Sequence, residues 1–276
     1  MDGPVHELIS AIDQMSHYTV WGGPNLYFGS TYPGTDTPGE YQFVWFFLTT
    51  PVLYSLIFLA GIVILVLDFL KQRKSFSSSL YIWLSLGIFI APPAAMWYTH
   101  SVVLEGWRHV FLIYPFFVIV CVFALSRIME KGQLARRLSI GVLSLGFLFN
   151  TGMLIYLHPF EFVYFNPLAN QWLAPIDKKF EIDYWGPSFK QGFEYLLRTQ
   201  YKGKTLKVST SNGPGFYNYF FLPESEQAKM EQVITPECEY YLSGHRFVWE
   251  PPSANEKLIY EFKRQGNVVL SVYKLK

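Results

Sequence analysis

Charge is scarce in this chain. Lys, Arg, Asp and Glu make up 16% of the 276 residues, against roughly 25% in soluble domains. That scarcity excludes an ordinary water-soluble enzyme, even though the length alone would allow about two domains of about 150 residues. Charge of one sign is missing too: 22 basic and 21 acidic residues leave a net +1, too little to gather nucleic acid or an acidic macromolecule by its field. Cysteine is nearly absent. Cys121 lies in an apolar run and Cys238 in a polar region, so the two define neither a disulfide framework nor a metal site and read as small filler or plain thiols. There is no Gly-rich phosphate loop after a strand, no His-Glu-x-x-His and no Cys-x-x-Cys. The stretch after Met1 has neither the basic n-region nor the apolar h-region of a signal peptide.

What is abundant is apolar surface: 51% of the chain is hydrophobic and 19% aromatic. A bilayer core of about 30 Å is crossed by about 20 apolar residues of helix, and residues 41–67, 75–97, 110–126 and 138–157 meet or approach that length. The expected fold is an α-helical polytopic membrane protein of about four transmembrane helices, followed by a small extracytoplasmic α/β domain. Its expected divisions are residues 1–40, an amphipathic helix and loop; 41–157, the transmembrane region; and 158–276, the α/β domain. Within the second run, Ala91-Pro92-Pro93-Ala94 is expected to break or kink the helix, because two prolines remove donors and clash with the preceding turn.

Lys and Arg in short loops stay on the cytoplasmic side. The turn after the first run is Lys71-Gln72-Arg73-Lys74, and the turn after the third carries Arg127, Lys131, Arg136 and Arg137. Both are expected inside, which puts both chain termini outside the cytoplasm, in a plasma or inner membrane. An external N-terminal segment without an export signal leads to the expectation of a missing upstream half. Residues 4–16 set Val5, Leu8, Ile9 and Ile12 on one face, a helix suited to the membrane surface. Residues 21–39, rich in glycine and proline, read as an irregular loop.

From His158 onward the pattern is that of a small mixed domain. Pro187 opens a helix over residues 188–199, residues 204–210 and 239–242 read as strands, and residues 258–263 and 268–274 alternate around Gln265-Gly266-Asn267 as a hairpin. Ser211-Asn212-Gly213-Pro214-Gly215 reads as a strand-to-helix turn. Glu181 and Asp183, two apart beside Tyr184 and Trp185, would share one face of an extended segment. They could hold a metal or a sugar hydroxyl, or form a solvated edge. His245-Arg246 is a further polar pair after a strand.

Ionisable groups at a membrane boundary are costly and usually have a reason. His100, Glu105, Arg108 and His109 cluster within ten residues, among Trp97, Tyr98 and Trp107. One reading is an interfacial anchor belt with a snorkelling arginine. The other is an anion site, in which the planar donor fork of Arg108 and the ring of His109 sit where a helix N-terminus also favours negative charge. Asp36 and Glu40 lie before the first run; Thr35 or Asp36 reads as a turn or N-cap residue before a helix opening at Pro38. Asp68, beside Lys71, reads as a structural ion-pair partner.

The strings Tyr27-Phe28-Gly29, Thr35-Asp36-Thr37-Pro38, Val44-Trp45-Phe46 and Thr49-Thr50-Pro51, then Gly106-Trp107-Arg108-His109 and Tyr114-Pro115, occur in that order. With His158-Pro159-Phe160, Tyr164-Phe165-Asn166, Asp183-Tyr184-Trp185-Gly186 and Val272-Tyr273-Lys274-Leu275, they resemble the C-terminal half of bacterial membrane glycosyltransferases of the GT-C superfamily. That group is similar to the dolichyl-phosphate-mannose-protein mannosyltransferases. The resemblance implies transfer of a sugar from a polyprenyl-phosphate carrier to a protein, lipid or glycan acceptor. It implies carrier binding by Arg108, His109 and Trp107 with His100, and a cavity bordered by Asp36 and Tyr41. The family's catalytic acid lies in its N-terminal half, so no catalytic residue is assigned here, and the chain would be inactive alone. The implied partners are the lipid-linked sugar donor, membrane lipid, and the N-terminal half or another membrane subunit; nucleic acid is not one. No cofactor is evident, and a divalent metal has no ligand spacing to support it. Glu105 stands where the family often has Asp. The alternative is a non-catalytic membrane accessory protein whose external domain binds a partner or glycan. A transporter is disfavoured, since the four runs show no inverted repeat.

Overall fold

Proline decides where the first apolar run divides. Thr50 is extended (φ −90°, ψ 138°) because the ring of Pro51 disfavours helix in the preceding residue. Helix α1 (Tyr41–Thr49) therefore ends there and α2 (Val52–Leu70) starts anew, where a single helix over residues 41–67 was expected. The computed structural model describes residues 3–7, 9–10, 23–71, 76–235, 237–245 and 256–275. In the segment 4–16, residues 4–7 and 9–10 are helical with Val5 and Ile9 exposed; the remainder, Leu8 and Ile12 included, lies outside the described residues. So do Gln72, Arg73 and Lys74 of the first basic turn.

The chain forms two units, one built on Tyr32–Tyr156 with Phe165–Leu168 and the other on Asn25–Thr31, Leu157–Tyr164 and Ala169–Lys276. The first contains α1, α2, α3 (Phe76–Tyr98), a 3₁₀ segment (Arg108–Ile113) running into α4 (Tyr114–Met129), and α5 (Gln133–Leu157), which hands the chain on to the second unit. Four helical segments, Val52–Leu70, Ser79–Tyr98, Arg108–Met129 and Gln133–Leu157, are long and apolar enough to cross a bilayer. Helix α3 runs through Pro92 and Pro93 as one element; of the expected break or kink, the break is absent. Each ring removes one N–H donor, but where water does not compete, the remaining helical hydrogen bonds hold the segment together.

Phenylalanine rings knit the first unit. Phe58 stacks on Phe117 with centroids 4.8 Å apart and meets Phe89 at 4.8 Å, while Phe46 meets Phe117 at 5.0 Å, joining α1, α2, α3 and α4. A Cβ on Gly61 would lie 2.8 Å from Val120, so the small residue lets α2 and α4 approach closely. Asp68 at the end of α2 is the structural ion-pair partner expected of it, and its partner is Arg127 of α4 at 2.8 Å. Lys71 is a near neighbour in sequence, but α4 brings a guanidinium against the carboxylate.

Residues 24–33 form a hairpin within the stretch 21–39 where an irregular loop was expected. Strands β1 (Pro24–Tyr27) and β2 (Ser30–Pro33) flank Phe28 (φ 48°) and Gly29 (φ 84°), the two positive φ values of a type I′ turn. A short helix α6 (Pro167–Leu173) follows α5, and in the second unit helix α7 (Ser188–Thr199) starts directly after Pro187 and buries Phe189, Phe193 and Leu196. A five-stranded sheet follows. Its strands are β3 (Leu206–Thr210), β4 (Met230–Gln232), β5 (Tyr240–Ser243), β6 (Lys257–Arg264) and β7 (Asn267–Lys274), in the order β4-β3-β5-β7-β6. β3 runs parallel to both β4 and β5; β7 runs antiparallel to β5 and β6. Between β3 and β4 lie α8 (Gly213–Asn218) and α9 (Glu224–Gln227). The expected α/β character, the helix and the β6–β7 hairpin are all present, and Gln265 and Gly266, both at positive φ, make its turn.

Candidate functional site

The site grows from the way α3 stops. His100 takes a positive φ of 51°, its N–H donates to Trp97 O, and Ser101 N–H donates to Met96 O. That pair of bonds is a Schellman cap, with His100 in the left-handed position usually held by glycine or asparagine. His100 thus ends a helix, and its ring is exposed.

The chain then runs beside the loop that carries Asp36. Val103 N–H donates to Gly34 O at 2.9 Å, and Asp36 N–H closes a turn onto Pro33 O at 3.0 Å. Asp36 is an exposed turn residue, not the cap of a helix opening at Pro38; the helix begins at Tyr41, with Glu40 at the N-cap position making no side-chain cap.

Glu105 and Gly106 follow, both at positive φ (57° and 76°). Gly106 is required twice over: any side chain is strained at that φ, and a Cβ would meet the Trp45 ring at 3.2 Å. The reversed backbone aims the Gly106 N–H at the hydroxyl of Tyr41, 3.1 Å away. Tyr41 is 1% exposed, so it props the turn from below and presents nothing to a ligand. Trp107 comes next, its indole N–H donating to Thr49 Oγ1 at 2.9 Å, while Thr49 donates in turn to Trp45 O at 2.7 Å.

Arg108 and His109 open the 3₁₀ segment and are both exposed. Arg108 Nη1 pairs with Glu105 Oε2, the guanidinium side chain being 38% exposed and the carboxylate 8%. The arginine is therefore anchored at its root by a nearly buried carboxylate and still reaches solvent. Beside it the rings of Trp107, Phe111 and Tyr114 lie parallel: Trp107 to Phe111 is 5.4 Å at 10°, and Phe111 to Tyr114 is 6.2 Å at 8°. Phe111 is 65% exposed. Chemically, this is a cation on a fixed stem next to a flat, partly exposed apolar ledge at the start of a long apolar helix.

Of the six residues expected to bind, the structure draws Trp107, Arg108, His109 and Tyr41 into one turn. It leaves Asp36 and His100 on neighbouring loop positions with backbone duties. Glu105, read from the sequence into the same cluster, anchors the turn; Thr49, Phe111 and Tyr114 complete it and were not assigned to it from the sequence. The ring ledge has a readable signal, since Trp107, Phe111 and Tyr114 stand at i, i+4 and i+7, one helical face. The Glu105–Arg108 pair at i, i+3 is readable as well, but the left-handed turn that makes it is not.

In the second unit, the pair Glu181 and Asp183 is not a solvated edge. Glu181 is 2% exposed and accepts from Leu26 N–H at 3.0 Å; Asp183 is wholly buried and accepts from the Ser188 hydroxyl and, at 3.2 Å, from Ser188 N–H. Both carboxylates tie chain segments together. Burial pushes the Asp183 carboxyl up to about 7, although the Ser188 and Gly186 donors oppose the shift. His245 is 1% exposed, with Nε2 2.7 Å from Ser271 Oγ, and burial pushes its imidazole down to about 4. Arg246 lies outside the described residues. Among the described residues no group of three or more His, Cys, Asp or Glu could hold a metal, and Cys121 and Cys238 are both buried outside any disulfide. No family model, curated protein or solved structure matches this chain.

Proposed function

We propose that this chain is the carrier-binding part of a membrane glycosyltransferase of the GT-C kind, acting on a polyprenyl-phosphate-linked sugar at the outer face of a plasma or inner membrane. The supporting observation is the Glu105-Gly106-Trp107-Arg108 turn. It fixes an exposed guanidinium at the mouth of an apolar helix, beside three parallel rings. Cleavage of a sugar–phosphate bond builds negative charge on phosphate oxygens, and a preorganised cation there lowers the barrier. Arginine suits the place because it stays protonated at a water–lipid boundary and offers a planar donor fork. The stacked ledge would lie against the apolar isoprenoid next to that phosphate. In this reading His109 adds a donor, the catalytic acid comes from outside these residues, and both termini and the sheet unit are extracytoplasmic.

One observation favours a second reading, a non-catalytic accessory protein: Glu105 already neutralises Arg108, as a purely structural pair would. Polyprenyl-phosphate binding to the purified chain in detergent separates the two. Under the transferase reading, Arg108→Ala weakens binding by about 2 kcal/mol, the worth of a charged hydrogen bond, and Arg108→Lys recovers only part of it. If Arg108→Ala binds the carrier as the parent does, the arginine is structural and the accessory reading stands.

A further inference from the structure

The second unit carries an aromatic face that the carrier reading does not use. From Gly213 to Pro223, through Phe216-Tyr217-Asn218-Tyr219-Phe220-Phe221, the chain has no charged residue. Helix α8 and the 3₁₀ turn after it (Tyr219–Phe221) set Phe216, Tyr217, Phe220 and Phe221 at i, i+1, i+4 and i+5, on one side of the coil. Asn218 holds Trp185 beside them, its Nδ2 donating to Trp185 O at 3.2 Å and to Pro214 O at 2.8 Å. The five rings are 45–73% exposed. Phe216 meets Tyr217 edge to face at 5.5 Å and Phe220 at 5.6 Å. Clustered apolar surface of this kind marks a contact with protein or membrane.

Two observations favour the membrane. The first is the backbone beneath the rings. In water an exposed turn needs no protein donor for its carbonyls, because solvent supplies one; at the edge of lipid each must be paired internally. Here side-chain amides take that task. Gln232 Nε2 donates to Phe216 O at 3.0 Å, and Gln227 Nε2 donates to Phe220 O at 3.3 Å and Leu222 O at 2.7 Å. With Asn218 on Trp185 O, the carbonyls at both ends of the patch are closed off from outside. The second observation is the tether. The unit is entered at Leu157, the last residue of the apolar helix α5, so a bilayer crossed by α5 is always within reach, whereas a free partner must be recruited.

Trp, Tyr and Phe are the side chains that settle at a water–lipid boundary, an apolar body in the acyl region and a polar tip among headgroups. The patch has no cation, and Glu224 and Glu226 follow it, so anionic headgroups are not what draws it. We propose that Trp185, Phe216, Tyr217, Phe220 and Phe221 dip into the bilayer surface and seat the sheet unit on lipid through rings, without charge attraction. The inference rests on α5 crossing the bilayer and is independent of carrier binding.

Nitroxide labels on Tyr217→Cys and Phe221→Cys, both at exposed positions, test this in the full chain reconstituted into phosphatidylcholine bilayers. Leu148→Cys on α5 and the exposed Lys202→Cys serve as references for lipid and water. Oxygen concentrates in lipid and a nickel chelate in water, so the ratio of their collision rates reads depth. That ratio should be several-fold higher at 217 and 221 than at 202, and should not change with high salt or added anionic lipid. A lipid-like ratio at 148 with water-like ratios at 217 and 221 would overturn the proposal and leave the membrane helices standing. Shielding of 217 and 221 from both reagents would overturn it in favour of a protein partner or a second copy. Insertion only in anionic bilayers at low salt would overturn it in favour of charge, and a water-like ratio at 148 would remove its premise and overturn it as well.

Discussion

Two buried titratable residues of the sheet unit oppose one another. The Asp183 carboxyl is raised by burial to about 7 from an ordinary value of 3.8, so between those values the folded chain holds more protons than the unfolded one, and its stability falls as pH rises. The His245 imidazole is lowered by burial to about 4 from 6.5. There the unfolded chain holds more protons, and stability rises with pH across that window. The two slopes, each about 1.4 kcal/mol per pH unit, nearly cancel between about 4 and 6.5. Asp183→Asn should therefore gain stability over the parent by about that slope as pH is raised from about 4 to 7, and His245→Gln should lose it by the same slope up to about 6.5. Equilibrium urea unfolding at stepped pH reads this as a difference from the parent, so other titrating groups drop out. A variant-minus-parent difference that stays level with pH would contradict it. Neither shift is legible in the sequence, where Asp183 and His245 look like surface polar residues; only burial creates them.

At the scale of elements, the break between α1 and α2 is held from far along the chain. Asn166 Nδ2 donates to Phe47 O at 2.7 Å and to Thr50 O at 3.1 Å, and its N–H donates to Leu48 O at 2.9 Å. These carbonyls end a helix and have no intrahelical donor, so a 5% exposed asparagine takes the place of the next turn. Asn166→Ala leaves two buried carbonyls unsatisfied and should destabilise the first unit by about 1–3 kcal/mol. Thermal unfolding in detergent reads the loss, and Asn166→Asp, which keeps size but not the donors, should be no better. The Thr50-Pro51 pair was readable as a helix boundary by the same proline rule applied elsewhere in the sequence. A long apolar run hid it, because apolar periodicity does not register a break of two residues. The reverse holds for Pro92-Pro93, where the local rule forecast a break or a kink and α3 continues without a break.

Across the whole molecule, the placement of charge carries the orientation argument. The turn between α4 and α5 bears Lys131, with Arg136 and Arg137 on the first turn of α5, and in the proposed orientation it faces the cytoplasm while the sheet unit faces outward. In intact cells, Lys202→Cys should react with a membrane-impermeant maleimide, and Lys131→Cys should react only after permeabilisation. Cys121 and Cys238 are buried and should contribute little background. Labelling of Lys131→Cys in intact cells would reverse the orientation.

By itself the sequence determined the class of this protein. Scarcity of charge, four apolar runs and a polar C-terminal stretch with a 3.6-residue helix and two-residue alternation are properties of composition and period, and they need no knowledge of contacts. It also marked the Gly106-Trp107-Arg108 string. The tertiary structure alone decided which distant partner a charge took, because pairing depends on distance in space: Arg127 for Asp68, Leu26 N–H for Glu181. It also decided that Tyr41 and His100 serve the backbone, since left-handed φ values and cross-loop hydrogen bonds exist only once the loops are folded against each other.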